Sequence, residues 1–315
     1  MADLGCSTGT NSLELVLEVI EIVNTACQKL NCRAPEFEVF LNDLPSNDFN
    51  TVFTSLPKFY KKLEDERGTE LGQCFVYGTP GSFYGRLFPS KFVHFVHSLY
   101  SLHWLSRIPR ELASDNGEAL NKGNICIAQT SPLAVWKAYY KLFESDFMLF
   151  LRSRSKEIIF EGRMVLTFIG STKSNDPHYL MYIGNILNSM ASEGLIKRPK
   201  LDMFNLPFYN STVEEVRKLI EEEGSYTLHK LETFTLEWHI GCNSSNPNVC
   251  AKFLANSIKV VTEPMLAKEF GGAIMNELFL KFQELLVRIF AAGKTEFLNI
   301  VVSLIRKASN FNANA

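Results

Sequence analysis

Near its start the chain reads Asp3-Leu4-Gly5-Cys6-Ser7-Thr8-Gly9, a strand entering a glycine turn, and Asn11 then opens an apolar helical run from Ser12 to Ile20. The chemistry on offer is binding. Backbone N–H groups of such a turn face a ligand, and Gly5 and Gly9 can take backbone angles closed to other residues and let the chain pass close to a bound molecule. Asn11 is placed to cap the helix, with Glu14 completing a capping box. Ser7 occupies the place where a dinucleotide fingerprint needs its middle glycine for pyrophosphate, so a phosphate-free, nucleoside-type cofactor fits better. Asp43 closes the apolar run Glu36–Leu41, where a carboxylate holds a ribose diol through two charge-assisted hydrogen bonds. Its alternative role is a turn or cap residue in Asp43-Leu44-Pro45-Ser46-Asn47-Asp48. Ser82-Phe83 follows the run Gln73–Gly78 and pairs a hydroxyl with an aromatic face, a clamp suited to adenine. Tyr100-Ser101-Leu102-His103-Trp104 offers a flat apolar slot with polar tips, against plain core packing as the alternative.

These residues need strand ends to hold them, and the pattern supplies strands alternating with helices. Strands are predicted over 36–41, 73–78, 92–97 and 162–168, with helices over 49–66 and 131–155. This βαβ order makes parallel pairing the default and places ligands past the carboxyl ends of the strands. Beyond about residue 172 the texture turns to helices at Tyr179–Ala191 and after Ser211-Thr212, then β segments at Tyr226–Trp238 and Phe297–Ile305, with Gly241–Asn248 as an exposed loop. The fold predicted is α/β: a doubly wound, Rossmann-like sheet over 1–170, 225–240 and 291–307, carrying a helical cap over 171–224 and 241–290.

Composition sets the outer bounds. At 315 residues with 46% hydrophobic side chains, the chain can bury a full core. Its net charge of −2 and lack of a basic cluster leave no electrostatic footprint for nucleic acid. Seven cysteines at irregular spacing form neither a C-x-x-C pair nor a disulfide framework, which points to a reducing, cytoplasmic compartment. No apolar stretch reaches membrane-spanning length, and the first residues carry acids where a signal peptide needs basic ones.

Several longer motifs resemble the plant SABATH methyltransferases, named for salicylic acid, benzoic acid and theobromine. They are Ala2–Ser7, Phe40–Asn50, Pro80–Pro89, Tyr100–Ser106, Asn121–Ile125 and Phe204–Pro207, spread over nearly the whole chain. The resemblance implies the class I methyltransferase fold and methyl transfer from S-adenosylmethionine (SAM) to a small acid or a purine alkaloid. It implies that Asp3, Gly5, Cys6, Asn11, Asp43, Leu44, Ser82 and Phe83 line the cofactor pocket. Tyr100, His103 and Trp104 would line the acceptor slot, and Ile169, Tyr179, Leu180, Ile258, Val261 and Phe297 would enclose its ring. It also implies a magnesium ion near Asn121, Asp202, Asn205 and the backbone carbonyl of Phe204, an oxygen set of the type hard cations take, and a homodimer.

A carboxylate acceptor asks for orientation rather than a base, because it is ionised at neutral pH with an ordinary pKa of about 4. Tyr100 and Trp104 are the orienting pair. In relatives, methionine in place of His103 accompanies salicylate, whereas histidine accompanies benzoate, mixed benzoate and salicylate, or alkaloid activity. A benzoate- or salicylate-type acid is therefore the expected acceptor, with purine N-methylation as the alternative. The family's chains carry a segment before the first strand that grips the methionine end of the cofactor, whereas this sequence begins at the glycine turn. Were that segment truly absent, a non-catalytic protein binding a small acid would be the expectation.

Overall fold

The structure is a computed structural model, and it describes residues 1–9, 11–67, 73–113, 116–172, 178–293 and 295–308. Five strands run parallel: β1 (Ala2–Leu4), β2 (Phe37–Asp43), β3 (Cys74–Pro80), β4 (Val93–Leu99) and β5 (Ile158–Ile169). With β6 (Tyr226–Glu237) and β7 (Glu296–Arg306) they form one sheet of order β3-β2-β1-β4-β5-β7-β6. Helix α1 (Asn11–Lys29) links β1 to β2, α2 (Phe49–Arg67) leads towards β3, and α3 (Leu133–Glu157) precedes β5. The chain steps from β1 outward to β3 and then returns to β4 on the other side of β1. That reversal opens a crevice above the carboxyl ends of β1 and β4, where an open α/β sheet takes its ligand.

Parallel pairing fails at β7, which is antiparallel to both β5 and β6. The cause lies in the connection. A single crossover helix carries the chain to the opposite end of a sheet, whereas α7 (Pro247–Phe270) and α8 (Met275–Ala292) form a helical pair that runs out and back. The chain re-enters at the end where β6 left, so the next strand must run the other way. Asn11 is also one position off its predicted role: it is the first residue of α1, while Thr10, which precedes it, lies outside the described residues.

Three apolar clusters hold these layers together. One joins the sheet to α3 through side chains such as Val96, Phe147, Leu166 and Val302. Helix α6 (Val213–Glu223), opened by a capping box between Thr212 and Glu215, adds Val216, Leu219 and Ile220 to the same cluster. A second cluster gathers α4 (Tyr179–Ser192), α5 (Arg198–Met203), α7 and α8 around Ile169, Phe208 and Trp238. The third packs α1 and α2 on β2. Among the described residues no helix is long and apolar enough to cross a membrane.

One buried ion pair ties α3 to the loop after β3. Arg154 and Glu157 are both fully buried, with Arg154 Nη2 2.7 Å from Glu157 Oε2. The guanidinium also donates to the carbonyls of Phe83 (2.9 Å) and Gly85 (2.8 Å), while Glu157 Oε1 accepts the amides of Leu87 and Phe88. The pair thus serves as an internal frame for residues 83–88, whose own backbone groups lack a strand or helix to satisfy them. Removing one partner leaves a desolvated charge, so Arg154→Met should lower the unfolding free energy by about 3–5 kcal/mol in a urea titration. A loss below about 1 kcal/mol would show that the loop holds itself.

Candidate active site

The crevice is built by hydrogen bonds that converge on Asn42 and Asp43 at the end of β2. The Asn42 carbonyl accepts both the Gly5 and Cys6 amides at 2.9 Å, which turns the chain sharply after β1. Its side-chain nitrogen donates to the Thr79 carbonyl (2.7 Å) and the Gly81 carbonyl (2.9 Å), fixing where β3 ends. The Asp43 carboxylate accepts the Ser7 amide at 2.7 Å on one oxygen and the Leu44 amide at 2.7 Å on the other. Each oxygen keeps lone-pair capacity for a further donor. Gly5 has φ +82°, and a Cβ there would stand 1.9 Å from Ser101 Oγ, with Phe83 Cε1 only 3.8 Å away. Three strand ends therefore meet within a few ångströms. The other left-handed residue of the turn is Ser7 (φ +55°), not the predicted Gly9.

The predicted cofactor residues divide by what they present. Ser82 is exposed, Phe83 half-buried beside Tyr84 and Phe150, and Leu44 52% exposed. Asn11 is exposed at the head of α1. Asp3 is buried, its carboxylate 2.7 Å from His97 Nδ1 on β4. Burial, with the Asp43 and Asp3 carboxylates nearby, pushes the Cys6 thiol up to about 12. It stays a neutral thiol and cannot compete as a nucleophile for an electrophilic methyl group.

The acceptor residues follow β4. Tyr100 takes a left-handed conformation (φ +55°) with its amide on the Thr167 carbonyl. That strained turn projects the next residues over the crevice. Its ring meets Phe297 edge-on at 6.4 Å and lies 6.4 Å from His103. Trp104 is half-buried, its carbonyl accepting the Tyr84 hydroxyl at 2.7 Å and its ring edge-on to Phe208 at 5.1 Å. Among the described residues its indole N–H has no protein partner. His103 is buried, Nδ1 accepting the Ile169 amide at 3.3 Å. Burial drives its pKa down to about 3, so the ring is neutral at physiological pH.

Ile169, Tyr179, Leu180 and Ile258 share one buried cluster, with Tyr100, Trp104 and Phe297 packed against it. Val261 does not join them, being 47% exposed on α7. The buried stripe of that helix runs through Ala251, Leu254, Ala255, Ile258, Thr262 and Leu266, and position 261 falls on the outer face. Sequence reasoning passed over Asn42, Ser101, Arg154 and Phe208. Phe208 follows the quoted motif Phe204–Pro207, and its bridge to Trp104 joins residues more than a hundred positions apart, which no local pattern announces.

The four residues matched to a magnesium site do come together, but not as a cation cage. The Asn121 side-chain nitrogen donates to Asn205 Oδ1 (2.8 Å) and the Cys126 carbonyl (3.1 Å), and its oxygen accepts from Ser131 Oγ at 2.7 Å. Asp202 Oδ1 accepts the Gly123 amide at 3.1 Å and pairs with Arg198 Nε at 3.1 Å. Phe204 packs edge-on against Phe270 at 5.0 Å. An amide nitrogen points at Asn205 and the one carboxylate is neutralised by a guanidinium, so the donor set does not fit a hard cation needing six or more oxygens. Among the described residues no three His, Cys, Asp or Glu side chains are grouped to hold a metal.

Comparison with known proteins agrees with this geometry. A family model described as SAM dependent carboxyl methyltransferase matches residues 1–307. A benzoic acid/salicylic acid carboxyl methyltransferase of Petunia hybrida is 44% identical over 97% of this chain and 85% of its own length. A probable jasmonic acid carboxyl methyltransferase of Theobroma cacao is 42% identical over 98% and 86%. The solved structure of a loganic acid methyltransferase with SAH superimposes with a TM-score of 0.84 at 31% identity, covering 99% of this chain and 85% of that one.

Two measurements test the site as built. Asp43→Asn, which removes the charge this carboxylate offers to a ribose diol, should weaken S-adenosylhomocysteine binding about tenfold in calorimetry; unchanged affinity would place the sugar elsewhere. The second is a pH series. His103 and His178 are both held neutral by burial, whereas imidazoles in the unfolded chain titrate near 6.5. Below about 6.5 the unfolded state binds more protons, so stability is whole above that pH and falls with acidification by up to about 1.4 kcal/mol per unit for each histidine. His103→Gln should flatten this slope between about pH 6.5 and 5 in chemical denaturation. A slope as steep as that of the parent would remove His103 from the account.

Proposed function

The chain belongs to the SAM-dependent carboxyl methyltransferases, and from that premise we propose that it methylates the carboxylate of a small aromatic acid of the benzoate or salicylate class. The observation that supports the proposal is Trp104, half-buried and packed against a cluster of rings and branched aliphatics, with no protein partner for its indole N–H among the described residues. A flat apolar body with one anionic tip is the complement of that surface.

The donor supplies a methyl group already activated by its sulfonium sulfur. Asp43 is proposed to hold its ribose, the backbone of the Gly5 turn to border its amino-acid end, and Phe83 with Ser82 to flank its adenine. Trp104 donates its N–H to one carboxylate oxygen, and Tyr100 steers the other towards the methyl carbon. A carbon–oxygen bond forms, the sulfur–methyl bond breaks with its electron pair passing to sulfur, and no proton moves. Neither His103, neutral and bonded to the Ile169 amide, nor the Cys6 thiol is required as a base. The rate enhancement comes from alignment and exclusion of water, for which effective molarities are large. The helical cap that closes over the acceptor is proposed to be α4, α5, α7 and α8. A homodimer and a cytoplasmic location, drawn from the family likeness and the free cysteines, complete the proposal.

Incubation with labelled SAM and a panel of acceptors should give methyl benzoate or methyl salicylate. Trp104→Phe should lower kcat/KM by about tenfold or more while keeping the ring's packing. Labelled methylxanthine with no labelled ester would overturn the acceptor class, as would a Trp104→Phe enzyme of full activity.

A further inference from the structure

The end of α1 away from the crevice closes in a geometry that carries two cysteines. Asn31 takes the left-handed conformation (φ +52°), and the helix finishes with two capping hydrogen bonds: the Cys32 amide donates to the Cys27 carbonyl at 3.0 Å and the Asn31 amide to the Gln28 carbonyl at 3.1 Å. This pairing folds the chain back over the last turn, so that the side chains of its two outer residues meet. Commonly that contact is apolar. Here it is thiol against thiol, the Cys27 and Cys32 side chains being in hydrogen-bond contact.

Exposure separates this pair from the other cysteines. Cys32 is exposed, Cys27 is half-buried, and Leu30 between them is 76% exposed. Burial pushes the thiols of Cys6, Cys74 and Cys126 up, which keeps them protonated and inert. Cys242 and Cys250 also touch, but Cys250 is buried with its thiol on the Ser244 carbonyl at 3.0 Å. Partial burial and the Cys32 thiol push Cys27 up as well. A small oxidant therefore meets Cys32 first, and Cys27 is placed to act second.

We propose that Cys27 and Cys32 form a reversible dithiol–disulfide site on the protein surface, oxidised by a low-molecular-weight disulfide of the glutathione type. The Cys32 thiolate attacks one sulfur of the oxidant, whose S–S bond breaks with its electron pair leaving on the first glutathione thiolate. Cys27 gives its proton to solvent, and its sulfur attacks that of Cys32 and expels the second glutathione thiolate. The two expelled thiolates take up the protons that the two cysteines released. Two protein thiols are thereby oxidised to one disulfide, and the oxidant is reduced to two thiols. An exposed disulfide of this kind is readily reduced again. The 19 residues of α1 place the site roughly 27 Å from Asn11, so it stands independently of the methylation reading.

The test incubates the reduced full chain with excess oxidised glutathione and follows it by intact mass and non-reducing peptide mapping. The parent should lose the mass of two hydrogens at this site, with a cross-link joining the peptides of Cys27 and Cys32, and dithiothreitol should restore both thiols. Cys27→Ser should stop one step earlier, with glutathione held on Cys32. In the parent, a glutathione adduct persisting on Cys32, a Cys32 left unmodified, or a cross-link that dithiothreitol does not open would overturn the proposal. So would a Cys27→Ser chain that takes up no glutathione at Cys32.

Discussion

Asn42 is the point on which the crevice depends. Its carbonyl bends the chain after β1, its side-chain amide stops β3, and the next residue, Asp43, fastens the Ser7 amide. Loops after parallel strands carry function but have few internal hydrogen bonds of their own. Here the end of β2 supplies them for both neighbours, so the three loops hold one geometry together. The buried Arg154–Glu157 pair does the same from behind for residues 83–88. Burying two charges is costly unless their remaining donors and acceptors are filled, and the backbone of that loop fills them.

The electrostatics of the site follow from burial. His103 is pressed to its neutral form, Cys6 to its thiol, and the Tyr179 phenol lies above its ordinary range for the same cause. A crevice that neutralises its own titratable groups is poorly equipped to remove a proton and well equipped to hold an acceptor already charged. That matches carboxyl methylation, in which the nucleophile needs no activation and the protein's contribution is placement. In the proposed reading the Trp104 N–H supplies the principal directed interaction, and the cluster around Ile169, Tyr179, Leu180 and Ile258 lines the acceptor.

Much of this was legible in the residues. Apolar runs bounded by Gly, Pro and Asn located all the strands, and the positions of Gly5, Asp43, Ser82 and Trp104 at strand ends foretold one crevice. The turn glycine at Gly5 was identified because its left-handed angle has a sequence signature; Ser7 takes the same region without one. What escaped was long-range. The direction of β7 depends on α7 and α8 returning to their starting end, a property of two helices together. Arg154 and Glu157 answer a loop some seventy residues earlier in the chain. Val261 was carried over from the family likeness, and α7 turns it outward while its neighbour Thr262 joins the buried stripe. The Asn121 group came as a cation set from the same likeness, and residue types alone carry no information about which way an amide faces.

A crystal structure with S-adenosylhomocysteine and a benzoate-type acid tests the account most directly. The ribose hydroxyls should lie on the Asp43 carboxylate and the acid's carboxylate on Trp104 Nε1, facing the sulfur. A nucleoside bound away from the end of β2, or an acid whose carboxylate avoids the indole, would contradict it.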